Sequence, residues 1–296
     1  MNSKQLKTGN NPLFVFFGTP RFAEIVLSSL IEKGLIPSLV ICNPDRPVGR
    51  KKIITPPAVK LLAEKHGISV AQPESLADYR LPTTACLFGV LAAYGKVVPK
   101  EVIDFFPKGI IGVHPSLLPK YRGATPIQNI ILNGDEKTGV TLFLMDEKVD
   151  HGRIISNTEL PISNKDTYTT LEEKLAKAGA ELLVKILPAY LKGKIIPMEQ
   201  NHTEATSTKK FKTEDAFVPI EDLEMALLGN KEKAFRIDRM VRALNPKPGA
   251  WTLSPSADGK SPQRIKLLGS SIAEGKVMLT KIQVEGKKPQ EIIPKI

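Results

Sequence analysis

Gly109-Ile110-Ile111-Gly112-Val113-His114-Pro115-Ser116-Leu117-Leu118-Pro119-Lys120-Tyr121-Arg122-Gly123 decides the fold. The branched residues Ile110, Ile111 and Val113 suit a strand buried on both faces, and the Pro, Ser and Gly that follow cannot continue one. His114 therefore sits where a buried strand opens into a loop. That is the place where parallel α/β sheets put their ligands. A lone histidine there is also often a core residue held by a backbone carbonyl, so its meaning depends on its neighbours.

Upstream, Leu13–Phe17 is a continuous apolar run that stops at Gly18, with Thr19 as a helix cap and Pro20 in the first turn. The helix is expected to run through Ile25 and Leu30 to Gly34. The full Gly-x-Gly-x-x-Gly fingerprint is missing, so a dinucleotide site is not supported. Further strands are expected over Ile36–Cys42, Cys86–Ala92 and Val140–Leu144, with helices over Pro57–Lys65, Lys100–Phe106 and from Gln128. Alternation of this kind predicts an α/β, doubly wound, mostly parallel sheet. Between Ile36–Cys42 and the next helix lies Asn43–Pro57, a loop with four prolines and the basic cluster Arg46, Arg50, Lys51 and Lys52. Its length and charge mark it as functional rather than a plain connection.

Downstream, Thr169-x-x-Glu172 reads as a capping box before Leu171, Leu175, Ala178, Leu182 and Ile186, whose spacing makes one helix face. A catalytic domain over residues 1–198 is expected to end there. Residues 199–212 are polar and read as a linker. In residues 213–296, Asn230 caps a helix that Pro246 and Pro248 end, and short strands follow over Trp251–Leu253, Arg264–Leu268 and Val277–Val284.

With 296 residues, the chain is near the size at which a single core gives way to two. Lys and Arg total 42 against 31 Asp and Glu, a net charge of +11 that favours a polyanionic partner. Met1–Asn10 is polar and Leu13–Phe17 is too short for a membrane span, so a cytoplasmic location is expected. Cys42 and Cys86 each lie in an apolar run and read as small buried hydrophobes, leaving no disulfide framework and no metal cluster.

His-Pro-Ser-Leu-Leu-Pro-x-Tyr-Arg-Gly at 114–123, followed by Val149-Asp150-His151-Gly152, resembles the signature of the folate-dependent formyltransferases. It is most similar to the branch that formylates initiator methionyl-tRNA. Phe17-Gly18-Thr19-Pro20, Ala93-Tyr94-Gly95, Pro126-Ile127-Gln128, Gly139-Val140-Thr141 and Arg242-Ala243-Leu244-Asn245-Pro246 extend the resemblance in order along the chain. It implies a Rossmann-like catalytic domain and a smaller C-terminal OB-like β-barrel that binds tRNA, here short for five strands. It also implies 10-formyltetrahydrofolate as formyl donor, no metal, no membrane, and a monomer.

By that resemblance His114 relays the acceptor amine's proton, a task suited to a side chain that titrates near pH ~6.5 when free. Asp150, 36 residues on, orients it. Ser116, Leu117, Leu118 and Pro119 seat the folate, with Tyr94 beside it, and Arg46, Arg50, Lys51 and Lys52 reach the tRNA. One departure stands out: the family carries asparagine in Asn-x-His, where this chain has Gly112. That removes a donor to the formyl oxygen and predicts slow turnover, with the Ser116 hydroxyl or a water as substitute donor. Two alternatives remain on the residues alone: a catalytically impaired tRNA-binding relative, and a formyltransferase acting on a sugar-nucleotide amine.

Overall fold

Phe14, Val15, Phe16 and Phe17 are all within 1% of complete burial, as an apolar run without alternation requires of a strand covered on both faces. They form β1 (Phe14–Gly18) in a computed structural model that describes residues 13–49, 51–81, 86–255 and 262–292. Arg50 lies outside the described residues. In chain order come α1 (Arg21–Glu32), β2 (Leu39–Ile41), β3 (Arg46–Val48), β4 (Ile53–Thr55), α2 (Ala58–Lys65), β5 (Ser69–Ala71), β6 (Phe88–Ala92), α3 (Lys100–Asp104) and β7 (Ile110–His114). Then follow β8 (Arg122–Gly123), α4 (Pro126–Asn133), β9 (Lys137–Leu144), β10 (Ile154–Pro161), α5 (Tyr168–Leu191) and β11 (Ser207–Thr208). Last are α6 (Ile220–Leu228), α7 (Lys231–Leu244), β12 (Trp251–Ser254), β13 (Gln263–Ala273), β14 (Lys276–Val284) and β15 (Gln290–Glu291).

The main sheet has seven strands in the order β10-β9-β7-β6-β1-β2-β5. β1, β2, β5, β6 and β7 run parallel, and β9 pairs antiparallel with β7. Strand order reverses on either side of β1, the kind of switch point at whose carboxyl end doubly wound sheets bind ligands. One face of the core gathers Phe17, Ile41, Tyr94, Phe106 and Ile110, with Phe17 edge-on to both Tyr94 and Phe106.

Described residues divide into two compact units, one within Met1–Arg122, Gly139–Leu160 and Glu172–Ser207, the other within Gly123–Thr138, Pro161–Leu171 and Thr208–Ile296. In the second unit the antiparallel order is β12-β13-β14-β15, and its core holds Val218, Ile237, Val241, Leu267 and Val277. Asn230 caps α7 by accepting from the Lys233 N–H, as expected. No described helix is long and apolar enough to cross a membrane.

Three local expectations differ from the structure. Thr19 does not cap α1: its hydroxyl donates to the Tyr94 carbonyl and accepts from the Asn43 N–H, tying the ends of β1, β2 and β6 together. Thr169 lies inside α5, and the cap is Thr167, whose hydroxyl accepts from the Thr170 N–H while Glu172 pairs with Arg21. Within Asn43–Pro57, β3 pairs antiparallel with β4, Arg46 opposite Thr55, to form a two-stranded hairpin among the described residues. Its prolines sit where strand pairing leaves them room, because Pro47 on a two-stranded ribbon needs to supply no second ladder bond.

Candidate active site

β7 ends on His114 at the carboxyl end of the sheet, where the residue is 5% exposed. Its Nε2 lies 2.9 Å from the carbonyl of Tyr121, which only accepts, so this nitrogen carries a proton. The opposite nitrogen, Nδ1, faces Asp150 Oδ2 at 3.6 Å. The sequence points to the Asp150 pairing; the Tyr121 carbonyl is a partner it does not disclose. Both partners come from left-handed backbone, Tyr121 at φ 61° and Asp150 at φ 48°, a conformation uncommon for tyrosine and better tolerated by aspartate.

Residues 200–206 tie both segments in place. Gln200 is 4% exposed, and its Nε2 donates to the carbonyls of Asp150 at 3.0 Å and Gly152 at 2.7 Å. Its Oε1 accepts from Arg122 Nε at 3.2 Å and Nη2 at 2.6 Å. Thr206 holds the other side: its hydroxyl accepts from the Tyr121 N–H at 2.8 Å and its carbonyl from the Arg122 N–H at 2.8 Å. Gly152 is required where it stands, since a Cβ there would lie 1.8 Å from the Leu144 carbonyl oxygen. Beside this clamp His151 pairs with Asp146 at 2.7 Å and stacks on His202, with ring centroids 4.2 Å apart.

The loop after His114 is fixed from within. Ser116 is fully buried; its hydroxyl donates to the Lys120 carbonyl at 2.7 Å, and its carbonyl accepts from Thr141 Oγ1 at 2.7 Å. Thr141 Oγ1 in turn accepts from the Leu118 N–H at 3.0 Å. The Ser116 hydroxyl is thus committed to the loop and does not replace a donor missing at position 112. Leu118 is buried, while Leu117 and Pro119 are partly exposed and provide apolar surface. Tyr94, expected beside the folate, points its phenol into the core at 1% exposure, where the oxygen has no hydrogen-bond partner among the described residues. Burial pushes that phenol up to about 12.

Gly112 is filled from across the ladder. It pairs with Phe143, and a Cβ built at 112 would lie 2.3 Å from Cε1 and 2.6 Å from Cζ of that ring. The same ring stands edge-on to His114, centroids 6.5 Å apart at 85°. Arg46, Lys51 and Lys52 are exposed on the β3–β4 hairpin, together with Val48, Ile53 and Ile54. The hairpin's base is anchored by Asp45, which accepts from Lys60 Nζ at 2.9 Å and Gln72 Nε2 at 2.7 Å.

Known proteins resemble the chain along most of its length. A formyl transferase family model matches residues 11–187, and a model of the formyl transferase C-terminal domain matches residues 224–277. A methionyl-tRNA formyltransferase of Macrococcus caseolyticus is 39% identical over 265 residues, 88% of this chain and 80% of the relative. Among solved structures, methionyl-tRNA formyltransferase from Clostridium thermocellum superposes with a TM-score of 0.57 at 18% identity, covering 95% of this chain and 99% of that one. An N-formyltransferase from Helicobacter canadensis, in complex with folinic acid and dTDP-3-aminofucose, does so with a TM-score of 0.57 at 19% identity, covering 89% and 88%. The matched models and the Macrococcus caseolyticus relative show that the chain belongs to the formyl transferase family, among its methionyl-tRNA formyltransferases.

Proposed function

We propose that the protein moves a formyl group from 10-formyltetrahydrofolate to the α-amine of methionine on initiator methionyl-tRNA. The observation that carries this reading is the placement of His114 between the Tyr121 carbonyl and the Asp150 carboxylate. In the reaction the amine nitrogen attacks the formyl carbon. A new C–N bond forms, the bond from that carbon to folate N10 breaks, and the proton given up by the amine replaces the formyl group on N10. His114 takes that proton on Nδ1, the nitrogen left bare by the bond from Nε2 to Tyr121, and the Asp150 carboxylate facing it stabilises the imidazolium until the proton passes on. Leu117 and Pro119 provide an apolar wall for the pterin, with Leu118 buried behind them and Ser116 holding the loop that presents it.

Exposed Arg46, Lys51 and Lys52 suit the tRNA backbone, and the hairpin's Val48, Ile53 and Ile54 suit its bases. The second unit adds a cavity of about 1190 Å³ with Lys165, Arg239 and Lys266 on its lining, in keeping with residues 213–296 as a tRNA-binding domain. A nucleotide-sized acceptor needs neither feature. Purified protein is expected to transfer labelled formyl to methionyl-tRNA and not to an aminated sugar nucleotide; the opposite preference rejects the reading. Gly112 at the position of the family's asparagine, with Phe143 filling the space a side chain there would need, favours a second one, a relative that binds tRNA without transfer. Binding with no labelled product after prolonged incubation selects it.

A further inference from the structure

We infer that Gln200 is a positioning residue for formyl transfer, a single buried amide that sets the distance between the two groups flanking His114. The inference rests on the reading above. One flank is the Tyr121 carbonyl, and the next residue, Arg122, gives two N–H bonds to Gln200 Oε1. The other flank is Asp150, whose own carbonyl, with that of Gly152, takes the Gln200 amide protons. All the polar capacity of the amide is thereby used across segments 50 and 78 residues away in the chain. Its orientation is determined as well: reversing it would set an N–H group against a guanidinium and an oxygen against two carbonyls.

The need for such a clamp is visible in the backbone. Tyr121 stands at φ 61°, which its side chain does not favour, and Asp150 at φ 48° lies in a loop rather than a regular element, so bonds from elsewhere in the chain fix both segments. Thr206 pins the Tyr121 side by two further bonds. At the carbonyls of Asp150 and Gly152, Gln200 is the side chain that brings the two sides together. Proton transfer depends steeply on the separation of the groups that share the proton, so loosening the clamp should slow chemistry and leave binding of the substrates in place.

The test is Gln200→Met, which keeps length and approximate volume and removes every hydrogen bond of the amide. Turnover should fall roughly ten- to a hundredfold, the scale for a misplacement of about an ångström. The KM values for folate and methionyl-tRNA should stay within about twofold. Gln200→Glu keeps the acceptor for Arg122 and takes away the donors to Asp150 and Gly152; it should fold and be slowed to a similar degree. In a cycle with Asp150→Asn, the double variant with Gln200→Met should be no slower than Asp150→Asn alone, because one acts through the other. Multiplying rate effects, unchanged turnover, or an effect confined to KM would overturn the inference.

A second measurement needs no reaction. In histidine-labelled protein the His114 ring nitrogen signals should be single and sharp in the wild type. In Gln200→Met and Gln200→Glu they should be broadened or shifted, and identical spectra count against the clamp. Should the wild type transfer no formyl at all, the functional reading fails, and these spectra still decide whether Gln200 positions the ring.

Discussion

His114 and Asp150 are separated by 3.6 Å, and each has a distinct predicted consequence on replacement. His114→Ala should lower turnover roughly a hundred- to ten-thousandfold with folate binding retained, as for other general acid-base groups. Asp150→Asn should also slow turnover, since the ring is deprived of its charged partner; initial rates across pH check both, and a full rate in either variant rejects its role. Gly112 behaves otherwise than its sequence suggests. Restoring asparagine there meets Phe143 within 2.3 Å, so Gly112→Asn alone should destabilise by about 1–3 kcal/mol and bring no acceleration. Paired with Phe143→Ala, the same change should recover part of that stability, a coupling of about 0.5–3 kcal/mol readable by denaturant melts. If the amide then reaches the formyl oxygen, turnover should exceed that of Phe143→Ala at least about tenfold.

The β3–β4 hairpin shows what an element adds beyond its residues. Neutralising Arg46, Arg50, Lys51 and Lys52 should weaken tRNA binding and reduce its log-log salt slope by roughly 0.7 to 0.9 for each phosphate no longer neutralised. Folate binding should be unaffected, and an unchanged slope removes the hairpin from the tRNA interface. Its anchor is sensitive to acid: the bond from Gln72, and then that from Lys60, hold the Asp45 carboxyl below the usual carboxylate range. Because the folded value is lowered, the anchoring is fully present at neutral pH and disappears only as pH falls below that range. Asp45→Asn should therefore raise the KM for tRNA at neutral pH and not that for folate.

Elements made of continuous apolar runs are legible in the sequence: Phe14–Phe17, Phe88–Ala92 and Ile110–Val113 are strands as their runs imply. The hairpin is hidden by Pro47, and β10 by its polar exposed face. His114 and Asp150 are legible through the resemblance. Gln200 is not, because its partners are backbone carbonyls and a guanidinium brought in by tertiary folding, and no periodicity marks an amide in a polar stretch. Phe143 looks like any strand residue; only cross-strand register gives it the space above Gly112.

At the scale of the molecule, a net charge of +11 should make the KM for methionyl-tRNA rise steeply between about 50 and 200 mM salt, and that for folate far less. Parallel dependence of both in steady-state kinetics would show that charge acts on stability rather than on encounter. The first unit, meanwhile, is assembled from three stretches of chain, the last of them Glu172–Ser207. Tyr121 waits on Thr206, and Asp150 and Arg122 wait on Gln200. During synthesis, then, a ribosome that has released residues up to 198 has released every strand of the main sheet yet not the two side chains that brace His114. The nascent enzyme gains its reactive geometry only when a segment with almost no apolar content emerges, so the last-made part of the unit is the one that arms it.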